Sequence, residues 1–309
     1  MKSLTFAALG LLVSTSALAA PIHETWIQSG APTDEQIASW STLPGTRSFL
    51  FQLDDPTAYE LEPLLRLRGA DRIRIQVTRF PGQDSLPAYR QLAVRGAEFI
   101  GLDAGFPLED EISRLNSIGF ASCVLVSTAF PSDGDGERLS RLTCPTSLTF
   151  ATRMYPRYMD KESFLELPAS MPLLFATDYW PWYSHMDVLN MLPHTQRIRV
   201  TDMHAPDEAM QYLLGMRKLD EVQVHSDYDP STAGYWERFG SLTVRWSIRG
   251  PIPSEASLEA FARSRAAGGQ RYLIIDQDLP LTRDELSRLE RLPIPVEWIH
   301  AAPFGSQRF

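Results

Sequence analysis

The 309-residue sequence predicts an α/β fold, a parallel β/α repeat solenoid (horseshoe) of about 11–12 units, with a closed (β/α) barrel as the alternative. Three observations carry this. Prolines that close strand-like segments stand at 32, 56, 81, 107, 131, 156, 181, 206, 230, 253, 280 and 303, spaced 23 to 27 residues apart. A period held over that many marks signals stacked repeats. Apolar residues stand eight and six positions before most of these prolines, as in Ile73 and Ile75, Cys123 and Leu125, Leu173 and Phe175, and Ile198 and Val200. That alternation is a strand with one buried face. After the prolines, PTDEQI, PLEDEI and PDEAM place acidic residues in the first turn of a helix, where they face the positive end of its dipole.

The first unit, Glu24 to Pro32, is a polar, weak strand followed by a helix carrying Ile37 and Trp40, and reads as a cap over the first full repeat. Later helices repeat apolar residues at helical spacing: Ile112, Leu115 and Ile118; Met186, Leu189 and Leu192; Leu258 and Phe261; Leu286 and Leu289. Short crossovers make consecutive strands parallel, with the helices on one face. Residues between the buried strand positions are polar in several units (Arg74 and Gln76, Arg199 and Thr201, Gln223 and His225) and apolar in others (Ile100 and Leu102, Val124 and Val126). An eight-stranded barrel of typical size leaves about four units unused, whereas an open solenoid accepts any number. The tail after Pro303, FGSQRF, carries no repeat.

The series Phe120-x-x-Cys123-x-Leu125-x-x-Thr128-x-Phe130, matched by Ala70-x-x-Ile73-x-Ile75-x-x-Thr78-x-Phe80, resembles the leucine-rich-repeat signature. The resemblance implies a curved β/α horseshoe whose strand-lined concave face is used for binding.

A basic start at Lys2, an apolar run from Leu4 to Val13, and Ala17-Leu18-Ala19 form a signal peptide over residues 1–19. Residues 20–309 then make a single β/α repeat domain, expected to be periplasmic or secreted. No later segment has the ~18 consecutive apolar residues of a membrane span. A formal charge of −9 argues against a nucleic-acid partner held by phosphate contacts. Cys123 and Cys144 are able to pair in an oxidising compartment. An apparent offset of roughly four residues, about 13 Å of strand rise, favours two buried free thiols instead.

Chemistry concentrates where strands end. Asp54, Asp103, Asp178, Asp202, Asp227 and Asp276 share one rim, as acid–base carboxylates, a hard-cation site or turn-stabilising side chains. His204, His225 and His300 lie near the same ends, without zinc-ligand spacing. Tyr155 and Trp180 fall in the column of Phe80, Phe106 and Phe130, which is core, whereas Tyr158, Tyr179, Trp182 and Tyr183 lie off it as a candidate exposed patch. Gly-x-Ser-x-Gly, Gly-x-x-x-x-Gly-Lys and Gly-x-Gly-x-x-Gly motifs are absent. SDGDGE, Ser132 to Glu137, lacks the later ligands of a calcium loop and reads as a loop leading into a helix.

The leading expectation is an exported, non-enzymatic leucine-rich-repeat-like protein, without cofactor or metal, that binds a protein or glycan through its strand-end rim and concave face. Its binding residues are Tyr158, Asp178, Tyr179, Trp182, Tyr183, Asp202, His204, His225 and Asp227. The competing expectation is a barrel-type, glycosidase-like hydrolase using two of Asp103, Asp178, Asp202, Asp227 and Asp276. A structural component with no dedicated ligand is the third.

Overall fold

The computed structural model describes residues 22–45, 47–102, 106–201, 205–226, 234–264, 269–277 and 279–302. It contains twelve strands: β1 (Ile22–Ser29), β2 (Arg47–Leu53), β3 (Ala70–Val77), β4 (Glu98–Leu102), β5 (Cys123–Ser127), β6 (Thr146–Phe150), β7 (Leu173–Thr177), β8 (Gln196–Val200), β9 (Leu219–Ser226), β10 (Thr243–Ile248), β11 (Arg271–Asp276) and β12 (Val296–Ala301). Each stands before one of the twelve prolines. All pairings are parallel and sequential, with short helices between the strands.

The sheet closes. β1 pairs with β12 in parallel from Ile22↔Val296 to Ile27↔Ala301, which makes a closed barrel and excludes the open horseshoe. The leucine-rich-repeat resemblance is therefore overturned by the closed sheet. Twelve strands turning through a full circle need about 30° per strand, and barrel diameter grows with strand number. The first unit is consequently no cap. Trp26 on β1 is buried and packs edge-on against Trp40 (6.2 Å) and Phe49 (5.6 Å).

Strand alternation separates two environments. Ile73, Ile75 and Val77 on β3, and their equivalents on the other strands, point outward into the layer shared with the helices and are buried. Phenylalanines from neighbouring units stack along this layer, as in Phe99 on Phe120 (5.1 Å) and Phe150 on Phe175 (5.5 Å). Each such buried ring contributes about 1.5–3 kcal/mol. The alternate residues face the lumen. There Arg199 is solvent-exposed although its neighbours Ile198 and Val200 are fully buried.

Several helices begin soon after a proline, where side chains satisfy their free N–H groups. Thr33 with Gln36, Thr57 with Glu60, and Thr282 with Glu285 form reciprocal capping boxes. Among the described residues no helix is long and apolar enough to cross a membrane.

Cys123 and Cys144 form a disulfide, with Cα atoms 6.1 Å apart, contrary to the expected free thiols. Thr146, which pairs in register with Cys123, follows Cys144 by only two residues, so the offset along the strand is half the expected one. The separation lies within the span a disulfide tolerates. Closing a 21-residue separation stabilises by about 3 kcal/mol. The Cys123→Ala/Cys144→Ala double variant is expected to lose about that much in urea unfolding, and reductant is expected to lower the wild type equally. Wild type and variant of equal stability under non-reducing conditions would refute the bridge.

Candidate functional site

Toward the C-terminal ends of the strands, one third of the lumen wall, four strands of twelve, is strongly polar. Parallel register sets Arg199 on β8, Gln223 on β9, Arg245 on β10 and Tyr272 on β11 in one row. Side chains in such a row are one strand spacing apart, about 4.8 Å. The next row toward the mouth is His225, Ser247 and Ile274. Arg249 and Asp276 follow at the rim. Thr201 and all of these residues except Tyr272 line a cavity of about 260 Å³.

A continuous hydrogen-bond chain holds the first row. Arg199 Nε donates to Gln223 Oε1 (2.7 Å), and Gln223 Nε2 donates to Glu221 Oε1 (2.6 Å). Arg245 Nε donates to Glu221 Oε2 (2.7 Å), and the guanidinium stacks 4.4 Å from the Tyr272 ring centre. Glu221 is buried, so both its oxygens are satisfied by this chain. At the rim Arg249 Nε donates to Asp276 Oδ2 (3.2 Å). Arg199 is reached by solvent yet enclosed by the barrel wall. Loss of bulk water lowers its pKa, Glu221 opposes that shift and Arg249 adds to it. Three guanidiniums thus meet two carboxylates, Glu221 and Asp276, inside a protein whose net charge is −9. A wider groove of about 790 Å³ on the rim shares Arg249 and Asp276 and leads outward between Pro251 and Leu279.

Elsewhere in the lumen charges are matched within the wall. Arg72 Nε donates to Glu98 (2.6 Å), and Arg74 reaches Glu297 (3.7 Å) and Thr25, which itself donates to Glu297 (2.7 Å). At the N-terminal mouth Ser48 Oγ lies 2.8 Å from His23 Nε2 and Asp71 lies 4.0 Å from the same nitrogen. A serine–histidine–aspartate relay needs its serine and carboxylate on opposite ring nitrogens, so this trio is not one.

The residues expected from sequence separate into two groups. Tyr179, Trp182 and Tyr183 gather beyond the end of β7, Tyr158 follows β6, and Asp178 stands at the lumen rim, where it accepts from Thr201 Oγ1 (3.4 Å). Asp178 pairs with Arg153 (3.5 Å), Tyr179 packs on Tyr155 (5.6 Å), and Tyr183 packs on Tyr212 (5.8 Å). Tyr158, Trp182 and Tyr183 are exposed, and Trp180 is buried. Tyr179, Trp182 and Tyr212 border a small cleft of about 80 Å³. Of the six expected binding residues that are described, His225 lines the lumen cavity, where Asp276 joins it. Asp103, Asp202, His204 and Asp227 fall outside the described residues. Asp178 and Asp276 are four strands apart, about 19 Å around the wall, whereas a glycosidase pair sits ~5 to 10 Å apart. Asp54 bonds Thr78 at the exposed rim. In SDGDGE, Asp135 accepts from Ser132 N (2.6 Å) and Oγ (2.7 Å), which is a turn function. Among the described residues no group of three or more His, Cys, Asp or Glu side chains is arranged to hold a metal ion.

Barrel closure also removes the basis of the leading functional expectation. A horseshoe presents an open concave face to a macromolecule, but here that face is the inside of a tube reached only from its mouths. Recognition of a protein or glycan by a leucine-rich-repeat-like concave surface, with no catalysis, is therefore withdrawn.

No family model matches the chain, and no curated protein matches it. Among solved structures, a candidate lyase/mutase from Burkholderia cenocepacia J2315 aligns over 88% of this chain and 83% of its own at 13% identity. Its TM-score of 0.25 is too low for that likeness to carry a structural or functional inference.

Proposed function

We propose that the protein is a barrel enzyme whose active site is the cavity at the C-terminal ends of β8 to β11, with His225 and Asp276 as its acid–base groups and hydrolysis as its reaction class. The observation that carries this reading is the cavity itself, in which an imidazole, a carboxylate and three guanidiniums converge from adjacent strands. Strand C-terminal ends are where closed parallel barrels carry their chemistry. An imidazole and a carboxylate are the groups that move protons to and from water, and such proton transfer contributes typically 10²–10⁴-fold in rate. Fixed guanidiniums nearby stabilise negative charge as it develops. The half-exposed lining of the lumen admits the water that hydrolysis consumes.

The test is turnover by the purified protein on a panel of nitrophenyl carboxylic esters, phosphate esters and glycosides. Wild type is expected to turn over at least one, and His225→Ala to reduce kcat by about 10²–10⁴-fold at unchanged melting temperature. Failure on every member, or full activity in both His225→Ala and Asp276→Asn, would overturn the assignment. We also propose export. The signal-like residues 1–19 support it, and the Cys123–Cys144 disulfide is of the kind that persists in oxidising compartments.

A further inference from the structure

We propose that the cavity recognises a phosphate group, and that the substrate class is phosphorylated small molecules. This inference rests on reading the cavity as the active site, and it names what that site holds.

Arg199, Arg245 and Arg249 all make their hydrogen bonds to described residues through Nε: to Gln223, Glu221 and Asp276. An Nε bond fixes the plane of a guanidinium. Among the described residues the two terminal nitrogens of each side chain have no hydrogen-bond partner, which makes them the donors available in the cavity these residues line. The scaffold has thus already oriented the three cations, so a ligand pays little ordering entropy to engage them. Fixed guanidinium forks suit oxyanions, with bonds roughly twice as strong as neutral ones.

The arrangement favours a tetrahedral anion over a planar carboxylate. One fork satisfies a carboxylate edge-on, whereas here donors arrive from three strands, with the hydroxyl of Ser247 in the same lining, while that of Thr201 donates to Asp178 (3.4 Å). Asp276 narrows the choice further. Its carboxylate accepts hydrogen bonds and repels a fully ionised anion. Phosphate carries a proton near neutral pH to donate to it, whereas sulfate carries none. The matched ion pairs elsewhere in the lumen, Arg72 with Glu98 and Arg74 with Glu297, leave no comparable surplus of cations.

Isothermal titration of the purified, disulfide-intact protein with inorganic phosphate, sulfate and acetate tests this. Phosphate is expected to bind with Kd below about 1 mM and more tightly than either other anion. Arg199→Gln and Arg249→Gln are each expected to weaken it about 10- to 100-fold. Both side chains are solvent-exposed, so these variants are expected to fold, which a thermal melt checks. Arg245 is a poorer target because its removal strands the buried Glu221 carboxylate. Arg66→Gln, at the exposed Arg66–Asp34 pair, is the control expected to bind as wild type. Lack of phosphate binding, equal binding of sulfate, or unchanged affinity in both arginine variants would each overturn the proposal. The two readings fail separately. Esters hydrolysed in a His225-dependent way without inhibition by phosphate would remove the substrate class and keep the active site. Phosphate bound in an Arg199-dependent way, with no turnover on any substrate, would keep the anion site and remove the enzyme.

Discussion

Arg271→Leu is expected to destabilise the protein by about 3–5 kcal/mol, the combined cost of leaving several buried carbonyls without their donor. Arg271 opens β11 on the outer, buried face and is only 1% exposed. Its Nε donates to Ser264 Oγ (2.9 Å), while the terminal nitrogens reach the carbonyls of Leu242 (2.8 Å), Ser264 (2.8 Å), Gln270 (3.2 Å) and Gly240 (3.3 Å). One side chain therefore ties the chain before β10 and the end of the helix Glu255–Arg263 to β11. Leucine leaves those carbonyls buried without this donor, and each such loss costs about 1–3 kcal/mol before relaxation. Arg271→Lys is expected to recover only part of the stability, because a point ammonium cannot span that fan of acceptors. Urea unfolding at constant m-value checks both. A loss under about 1 kcal/mol for the leucine variant would show that the network is dispensable.

The second large effect is expected from Trp246→Ala, about 3–5 kcal/mol through a cavity in the outer layer. Trp246 is fully buried on β10 and packs against Trp236 (4.8 Å) and Phe261 (5.4 Å), and its Nε1 donates to Ser226 Oγ (3.0 Å). Trp246→Phe keeps most of the apolar volume and loses that hydrogen bond, so its expected cost is nearer 1 kcal/mol. Comparable losses in the two variants would mean that the hydrogen bond, rather than ring packing, carries the stability. Trp246 lies between Arg245 and Ser247, which face the lumen on the same strand. Its packing thus sets the position of the cavity wall behind the candidate site.

Much of this was legible along the chain. Every one of the twelve strands stands before a proline of the 25-residue series, and outward-facing pairs such as Ile73 with Ile75 and Leu173 with Phe175 are buried as the alternation requires. The site was legible in pieces. His225 and Asp276 were recognisable as strand-end polar groups, and Arg199 and Gln223 as polar residues on the non-core strand face. Arg245 was hidden because its unit slips: it stands eight residues before its proline, where Arg199 and Gln223 stand seven before theirs. No sequence pattern distinguished the aromatics beyond β7, which decorate the rim, from the lumen residues of the cavity that begins on the next strand.

What the sequence by itself determined is the unit: proline spacing, alternation and helix-start chemistry act within about 25 residues and specify strand, helix and which strand face is apolar. Closure was decided only in three dimensions. Open and closed arrays share the same unit and differ in a small turn per strand, which becomes decisive only when summed over all twelve. The contacts that register the result, such as Thr25 with Glu297, join residues 272 apart in sequence. The same closure changes the meaning of the non-core strand face. In an open horseshoe Arg199, Arg245 and Arg249 would be ordinary surface cations, and inside a tube they line one confined cavity.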